Sequence, residues 1–418
     1  MGGLHVVVIG AGIVGVASAL ELMGDGHRVT LLDPGDPGGE QAASFGNGAW
    51  ISPASVVPMS MPGLWRKLPS YLLDREGPLT IRWSHLPRLA PWLIRFLRAG
   101  STVPRVEATA RALGALLRDA PTRHAALAEA IGRPDLVRRM GLLYAYPDRA
   151  AFEAEALSWR LRRDNGIGWE ELEAPALRER VPALAARYTF GAFVGEGAHC
   201  ADPGAYVAAA CAALLRAGAE LRREEATGFE LRGHRLAAVR TRGGAIPCER
   251  AVIAAGIGSV PLARRAGDRV PLESERGYHV VVEDPGLVLG TPIMPSDGKM
   301  ANTTTLAGLR ISGQVELASR EAEPDWRRAA ILLRHARATY PGLKADGRTT
   351  RWMGHRPSTP DGLPVIGLAS GCPDIVHAFG HGHVGLAAGP MTGRLVGDIV
   401  AGRSFSIPLD PYAARRFA

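Results

Sequence analysis

Leu4-His5-Val6-Val7-Val8-Ile9-Gly10-Ala11-Gly12-Ile13-Val14-Gly15, with Asp33 further on, is the stretch that decides the fold. Leu4 to Ile9 is a short, nearly unbroken apolar run rich in Val, the pattern of a parallel strand covered on both faces. It leads straight into a G-x-G-x-x-G turn and then a helical stretch, Val14 to Met23, which Gly24-Asp25-Gly26 breaks. Arg28 to Leu32 reads as a second strand, and Asp33 ends it, 23 residues after Gly10. Gly10 permits the tight turn, Gly12 lets a pyrophosphate approach the backbone, and Gly15 lets the helix pack close to the sheet. The helix N-terminus, around Ala11, Ile13 and Val14, offers unpaired N–H groups to the phosphates. Asp33 sits near the spacing of about 20 residues at which an acid takes the ribose hydroxyls, and an acid there disfavours a 2′-phosphate. A lone glycine motif is an ordinary turn; strand, helix, second strand and terminal acid together make it a dinucleotide site.

Further along, the chain offers no second site of this kind. Gly191 to Gly197 lacks the spacing, and Gly256-Ile257-Gly258 lacks the third glycine. Phe229 to Ile246 reads as two alternating strands joined through Gly233 and Gly243-Gly244, followed by an apolar strand, Ala251 to Ala255, that ends at Gly256. A small meander feeding an apolar strand that ends in Ala-Gly suits FAD proteins of the two-dinucleotide-binding-domain type, where Ala255 and Gly256 return the chain to the cofactor; a plain hairpin and strand would read the same. Near the C-terminus, Asp374 to Phe379 reads as a strand entering Gly380-His381-Gly382-His383-Val384-Gly385-Leu386, with a helix over about Gly389 to Ala401. That repeats the anion-binding geometry of the N-terminus.

Composition bounds the rest. The 418 residues are 46% hydrophobic and 22% charged, which fits a globular protein of two domains or one large one and excludes general disorder. Lys plus Arg is 49 against 41 acids, a net charge of +8, nearly all of it Arg because the lysines are only Lys67, Lys299 and Lys344. The charges are spread along the chain, which argues against nucleic acid and suits anionic substrates or surfaces. Cys200, Cys211, Cys248 and Cys372 have neither zinc-knuckle nor redox spacing, and so few suggest a reducing compartment. The N-terminal apolar run has no cationic head or cleavage site. A cytoplasmic protein is expected, with at most peripheral contact at the inner face of the cell membrane. Leu86 to Leu97, apolar with Trp92, Phe96 and two arginines, is the one candidate for such contact, although a core helix is the preferred reading. His377, His381 and His383 are poorly spaced for a metal, and none is expected.

These residues carry a family resemblance over nearly the whole chain. VVVIGAGIVG at the start, ASFGNGAWISP at Ala43 to Pro53, RGYHV at Arg276 to Val280, GHRPSTPDGLPVIG at Gly354 to Gly367 and FGHGHVGLAAGPMTGRLVGDIVAG near the end resemble the FAD-dependent amino-acid and amine oxidoreductases. These include glycine oxidase, sarcosine oxidase and the D-amino-acid dehydrogenases, with the dehydrogenase small subunit most alike. The resemblance implies that Arg356 holds the substrate carboxylate, for which a guanidinium fork is well shaped. It implies that Gly382, His383, Val384, Gly385 and Leu386 turn over the flavin pyrimidine edge, where N–H groups near His383 stabilise the anionic reduced ring. Ser44, Phe45, Gly46 and Asn47 match the segment near the flavin, and Tyr278 an aromatic position of the substrate domain, where a phenol bonds the carboxylate or caps the pocket. Arg310 is a second candidate for substrate binding, although pairing with Glu316 is the preferred reading, since buried charges need partners. The covalent flavin of sarcosine oxidases needs a Cys that this segment lacks, so non-covalent FAD is expected.

The implied fold is α/β, with α+β in the second domain: a Rossmann-like FAD-binding domain of residues 1–52, 200–269 and 352–418, and an inserted substrate domain of residues 53–199 and 270–351 built on an antiparallel sheet and helices. The implied activity is oxidative deamination of a D-amino acid, D-proline-type imino acids included, by hydride transfer from Cα to flavin N5, with electrons passed to a quinone or other carrier. An oxygen-using oxidase of the glycine or sarcosine type and a non-catalytic flavin-binding subunit are the alternatives.

Overall fold

A computed structural model describes residues 3–66, 74 and 76–418. The opening apolar run forms the strand His5–Ile9, buried at all five positions. It lies inside a six-stranded sheet, paired in parallel with Arg28–Leu32 on one side and Arg250–Ile253 on the other. Glu220–Arg222 extends the sheet beyond Arg28–Leu32, and Cys372–Phe379 extends it beyond Arg250–Ile253, both in parallel; Val365–Ala369 closes the far edge antiparallel. The helices Ile13–Gly24 and Gly385–Ala401 pack together over one face in one apolar cluster. Their approach is close because Gly393 faces the first helix: a Cβ there would come within 2.6 Å of the Ala17 backbone. The second face is covered by a three-stranded antiparallel meander, Ala226–Arg232, Arg235–Thr241 and Gly244–Pro247, one strand more than its glycines suggest.

A nine-stranded, mostly antiparallel sheet forms the second domain, giving a two-domain α/β architecture. Its strands run Thr349–Ser358, Glu273–Val282, Gly308–Leu317, Ala301–Thr305, Ile293–Pro295, Leu142–Tyr146, Phe190–Val194 and Glu170–Glu173, with Leu79–Ile81 alongside Gly308–Leu317. The helix Arg327–Thr339 covers one face through Leu332 and Ala336, over a core that includes Tyr278, Leu309 and Ile311. The stretch from Arg105 to Ile131, rich in Ala and Leu, lies in two helices, Val103–Leu117 and Ala120–Ala130, with Pro121 in the first turn of the second. Both belong to the same apolar cluster as the N-terminal helix.

Pro390 lies inside the C-terminal helix and has no N–H to give the Leu386 carbonyl. Fully buried His124 supplies one instead, with Nε2 2.8 Å from Leu386 O and Nδ1 3.0 Å from the Tyr206 hydroxyl. The Leu86–Ala99 helix buries Leu89 and Trp92 against Ile81 and Leu317, and the Trp92 indole donates to Ser358 O at 3.2 Å. Its apolar side therefore covers the sheet edge. Among the described residues, no helix is long and apolar enough to cross a membrane.

Candidate active site

The first strand turns out of its sheet at Gly10, whose φ of 108° favours glycine. The Ala254–Gly256 turn lies directly behind it, since a Cβ on Gly10 would stand 2.4 Å from Ala254 O. Gly15 is held tighter still, its absent Cβ 1.8 Å from Gly10 O. Gly12 differs: a Cβ there would meet only Ser44 Oγ, at 3.4 Å, so the backbone is open to a phosphate. The Ala11 and Gly35 amides donate to the two oxygens of Asp33, at 2.8 and 2.9 Å, and the half-buried carboxylate keeps lone pairs for ribose hydroxyls. Ser44 Oγ accepts from Ile13 N at 3.1 Å. The cradle fits a dinucleotide.

From Ser44 the chain runs over the side of the nine-stranded sheet opposite the Arg327–Thr339 helix, and five successive carbonyls are caught there. Arg310 Nη1 donates to Phe45 O and Asn47 O at 2.8 and 2.9 Å, His279 Nδ1 lies 3.3 Å from Gly46 O, Thr303 Oγ1 donates to Gly48 O at 2.9 Å and Cys200 N to Ala49 O at 2.8 Å. Trp352 lies across this segment, so close that a Cβ on Gly46 would be 1.8 Å from its ring, and its indole donates to Glu40 O at 2.8 Å.

On the same side of the sheet, strand pairing sets Glu275 opposite Arg356, Gly277 opposite Gly354 and His279 opposite Trp352. The Arg356 guanidinium folds back over Gly277, where a Cβ would come within 2.1 Å of it. Arg356 Nη1 donates to Gln314 O at 3.1 Å. That carbonyl is aimed by a β-bulge: between the pairs Arg276–Glu316 and Tyr278–Gly313, one residue, Gly277, faces two, Gln314 and Val315, and Gln314 takes a φ of 58°. No acid among the described residues is in ion-pair contact with Arg356, and burial lowers its pKa. Glu275, missed in the sequence, is buried and 2.6 Å from His383 Nε2. Burial works against its carboxylate, but His383 and Arg356 outweigh that and hold the pKa below the usual range. The turns Gly256–Gly258 and Gly382–Val384 both pack against the Arg356 strand, and Leu386 is buried just behind the second.

The structure brings Arg356, His383 and the Ser44–Asn47 segment together, but not Tyr278. Tyr278 points to the opposite face, because Gly277 and Tyr278 alternate along the strand. Its hydroxyl donates to Glu316, accepts from Asp325 N at 3.0 Å, and its ring packs under the covering helix. Arg310 likewise does not meet Glu316. Six positions apart they would share a face, but the bulge inserts one residue between them. Glu316 faces the core with Arg82 and Arg276, while Arg310 stays behind the Phe45–Asn47 loop as a clamp. The three clustered histidines diverge: His377 goes to Asp268, His381 to Thr392 and His383 to Glu275. Among the described residues, no group of three or more His, Cys, Asp or Glu is placed to hold a metal.

A family model described as FAD dependent oxidoreductase matches residues 5–399. A D-amino-acid oxidase of Bradyrhizobium diazoefficiens is 52% identical over 418 residues, covering 99% of both chains. A D-amino acid dehydrogenase of Paramagnetospirillum magneticum is 31% identical over 424 residues, again 99% of both. Glycine oxidase from Geobacillus kaustophilus superposes with a TM-score of 0.74 over 98% of both chains at 21% identity, a likeness of fold. The dinucleotide of the cradle is therefore FAD, held non-covalently.

Proposed function

The chain belongs to the FAD-dependent oxidoreductase family, and on that premise we propose that it is an oxidase of D-amino acids that passes the electrons to oxygen. The observation that carries the substrate class is the Arg356 guanidinium, half-buried on a glycine floor with no acid in ion-pair contact among the described residues. A cation partly withdrawn from water in this way is costly until an anion joins it, and a carboxylate matches its two-pronged geometry. Sequence alone favours a quinone or other carrier as acceptor; the 52% identical D-amino-acid oxidase moves the proposal to oxygen.

FAD, when bound, supplies the acceptor for the hydride that leaves the substrate Cα. The chain's residues do the rest. Arg356 anchors the carboxylate, with Gln314 O fixing its fork. Glu275 holds His383 at the turn that closes over the cofactor. The clamped Phe45–Ala49 backbone and the Trp352 ring wall the site and limit water. The imino acid produced is hydrolysed by water to a 2-oxo acid and ammonia.

The test is an anaerobic screen of D- and L-amino acids for loss of the visible flavin band, followed by admission of air. Bleaching by a D-amino acid and rapid recovery with stoichiometric peroxide is expected. Bleaching with recovery only on adding a quinone would return the acceptor to a carrier. In Arg356→Ala, affinity for the carboxylate substrate falls roughly 100-fold, the loss of a charge-assisted bidentate contact; unchanged affinity would remove the anchor.

A further inference from the structure

His279 stands on the site face between two aromatic rings. Its imidazole lies nearly flat on Trp352, with centroids 5.2 Å apart at 18°, and 6.3 Å from the Phe45 ring. The residue is 3% exposed. The Gly46 carbonyl beside Nδ1 can only accept, so the ring hydrogen sits on Nδ1 and Nε2 carries a lone pair. Nε2 has no partner among the described residues. Burial, then the Arg310 charge and, more weakly, Arg356 push the His279 pKa down to about 3, so the ring stays neutral at ordinary pH.

The placement relative to the carboxylate anchor is set by the strand. The Arg356 guanidinium lies over Gly277, and His279 is the next residue on that face. Same-face neighbours on a strand are about 7 Å apart. Two hydrogen bonds of about 2.9 Å, with the backbone of one α-amino acid between them, bridge that gap.

We infer that His279 reads the substrate amine: Nε2 accepts a hydrogen bond from the neutral α-amino group while Arg356 holds the carboxylate. The inference rests on the carboxylate-anchoring role proposed above. The surroundings select the neutral amine. Arg356 and Arg310 flank the position, and a third cation there is repelled. Glu275, the nearest acid along this face of the strand, is already engaged by His383 and lies on the far side of Gly277. A neutral amine keeps the nitrogen lone pair that drives hydride loss from Cα, and an acceptor at Nε2 orients it.

The experiment compares the D-amino acid that bleaches the flavin fastest with the carboxylate lacking only its amino group, and with its N,N-dimethyl derivative, which as a neutral amine has no N–H. Dissociation constants come from the concentration dependence of anaerobic bleaching for the amino acid, and from calorimetric titration of oxidised enzyme for the other two. In the unaltered protein the amino acid binds about tenfold tighter than either analogue, the worth of one hydrogen bond to a buried acceptor. In His279→Phe, which keeps the stack on Trp352, that advantage disappears while the des-amino carboxylate binds as before. FAD content and visible spectrum establish that the variant is folded, and the analogue series in the unaltered protein stands if it is not. Equal binding of all three ligands, or an advantage that survives His279→Phe and is lost in Glu275→Gln, overturns the assignment. If no amino acid bleaches the flavin and no carboxylate binds, the functional reading fails, and the role of His279 with it.

Discussion

The two sides of the Glu273–Val282 strand carry equally charged residues to opposite ends. Facing the core, Arg276 and Glu316 are 0% and 1% exposed at the side chain and 3.2 Å apart; Glu316 also takes Arg82 Nε at 2.6 Å and the Tyr278 hydroxyl, and Arg276 donates to Ala322 O at 2.7 Å. Facing the cofactor cleft, Arg356 has one carbonyl and no acid in contact, and His279 keeps a free lone pair. The closed side resembles a structural ion cluster, whose partners are mutually dependent. The open side leaves its capacity to a ligand. The difference between sides is therefore one of completeness rather than of charge, and it separates residues of the same strand that the sequence presents as equals.

Acid is the broadest way to break both sides. Burial lowers the pKa of His124 and His199 to about 4, and of His279 and His381 to about 3, from an ordinary 6.5; the charge of Arg138 adds to the effect at His199, and that of Arg310 at His279. The unfolded chain takes up these protons as pH falls below 6.5 and the folded chain does not. Their stability contribution is thus whole above that pH and is lost as pH drops towards 4 and 3, by up to about 1.4 kcal/mol per pH unit for each histidine. Thermal unfolding of the holoprotein at pH 7, 6 and 5 should show a steepening fall in midpoint. A flat profile would mean these rings are not buried as neutral groups.

Single substitutions separate the sides. Glu316→Ala strands two guanidinium groups, one of them fully buried, and should cost about 3–5 kcal/mol in denaturant unfolding. A smaller loss would show that water reaches the cluster. Gly277→Ala should do the reverse. The three atoms nearest its new methyl all belong to the Arg356 guanidinium, the far end of a long side chain, so the melting point should hold while carboxylate affinity drops about tenfold, or 1.4 kcal/mol, as the guanidinium is displaced. Equal affinity would mean that the fork tolerates a shift. Tyr278→Phe is the mildest, about 1 kcal/mol of stability for a lost hydroxyl, with substrate kinetics unchanged. A change in KM would return Tyr278 to the substrate site.

What could be read in the sequence divides along the same line. The cradle from Gly10 to Asp33 was legible because its parts are neighbours in the chain and each glycine has a local reason. The Arg356 position and the Gly382–Leu386 turn were legible from dense motifs. The identity of the inward-facing residues was not. Tyr278 and Gly277 differ by one place, and only the pairing with Thr349–Ser358 says which of them meets Arg356. Arg310 and Glu316 have the spacing of one face, and a single inserted residue near Gln314 parts them. Glu275 left one clue, an acid in alternation with Gly277 and His279, which gained meaning once His383 was known to lie against it.

The riveted backbone from Phe45 to Ala49 has a bearing on how the molecule breathes. A door needs bonds it can trade as it swings, and here the oxygens of five residues in a row are tied to Cys200 and to three side chains of the sheet beneath. Opening this wall would break them together. Reactants must come and go past some other border of the cleft, and this one behaves as a fixed jamb against which any moving part has to close.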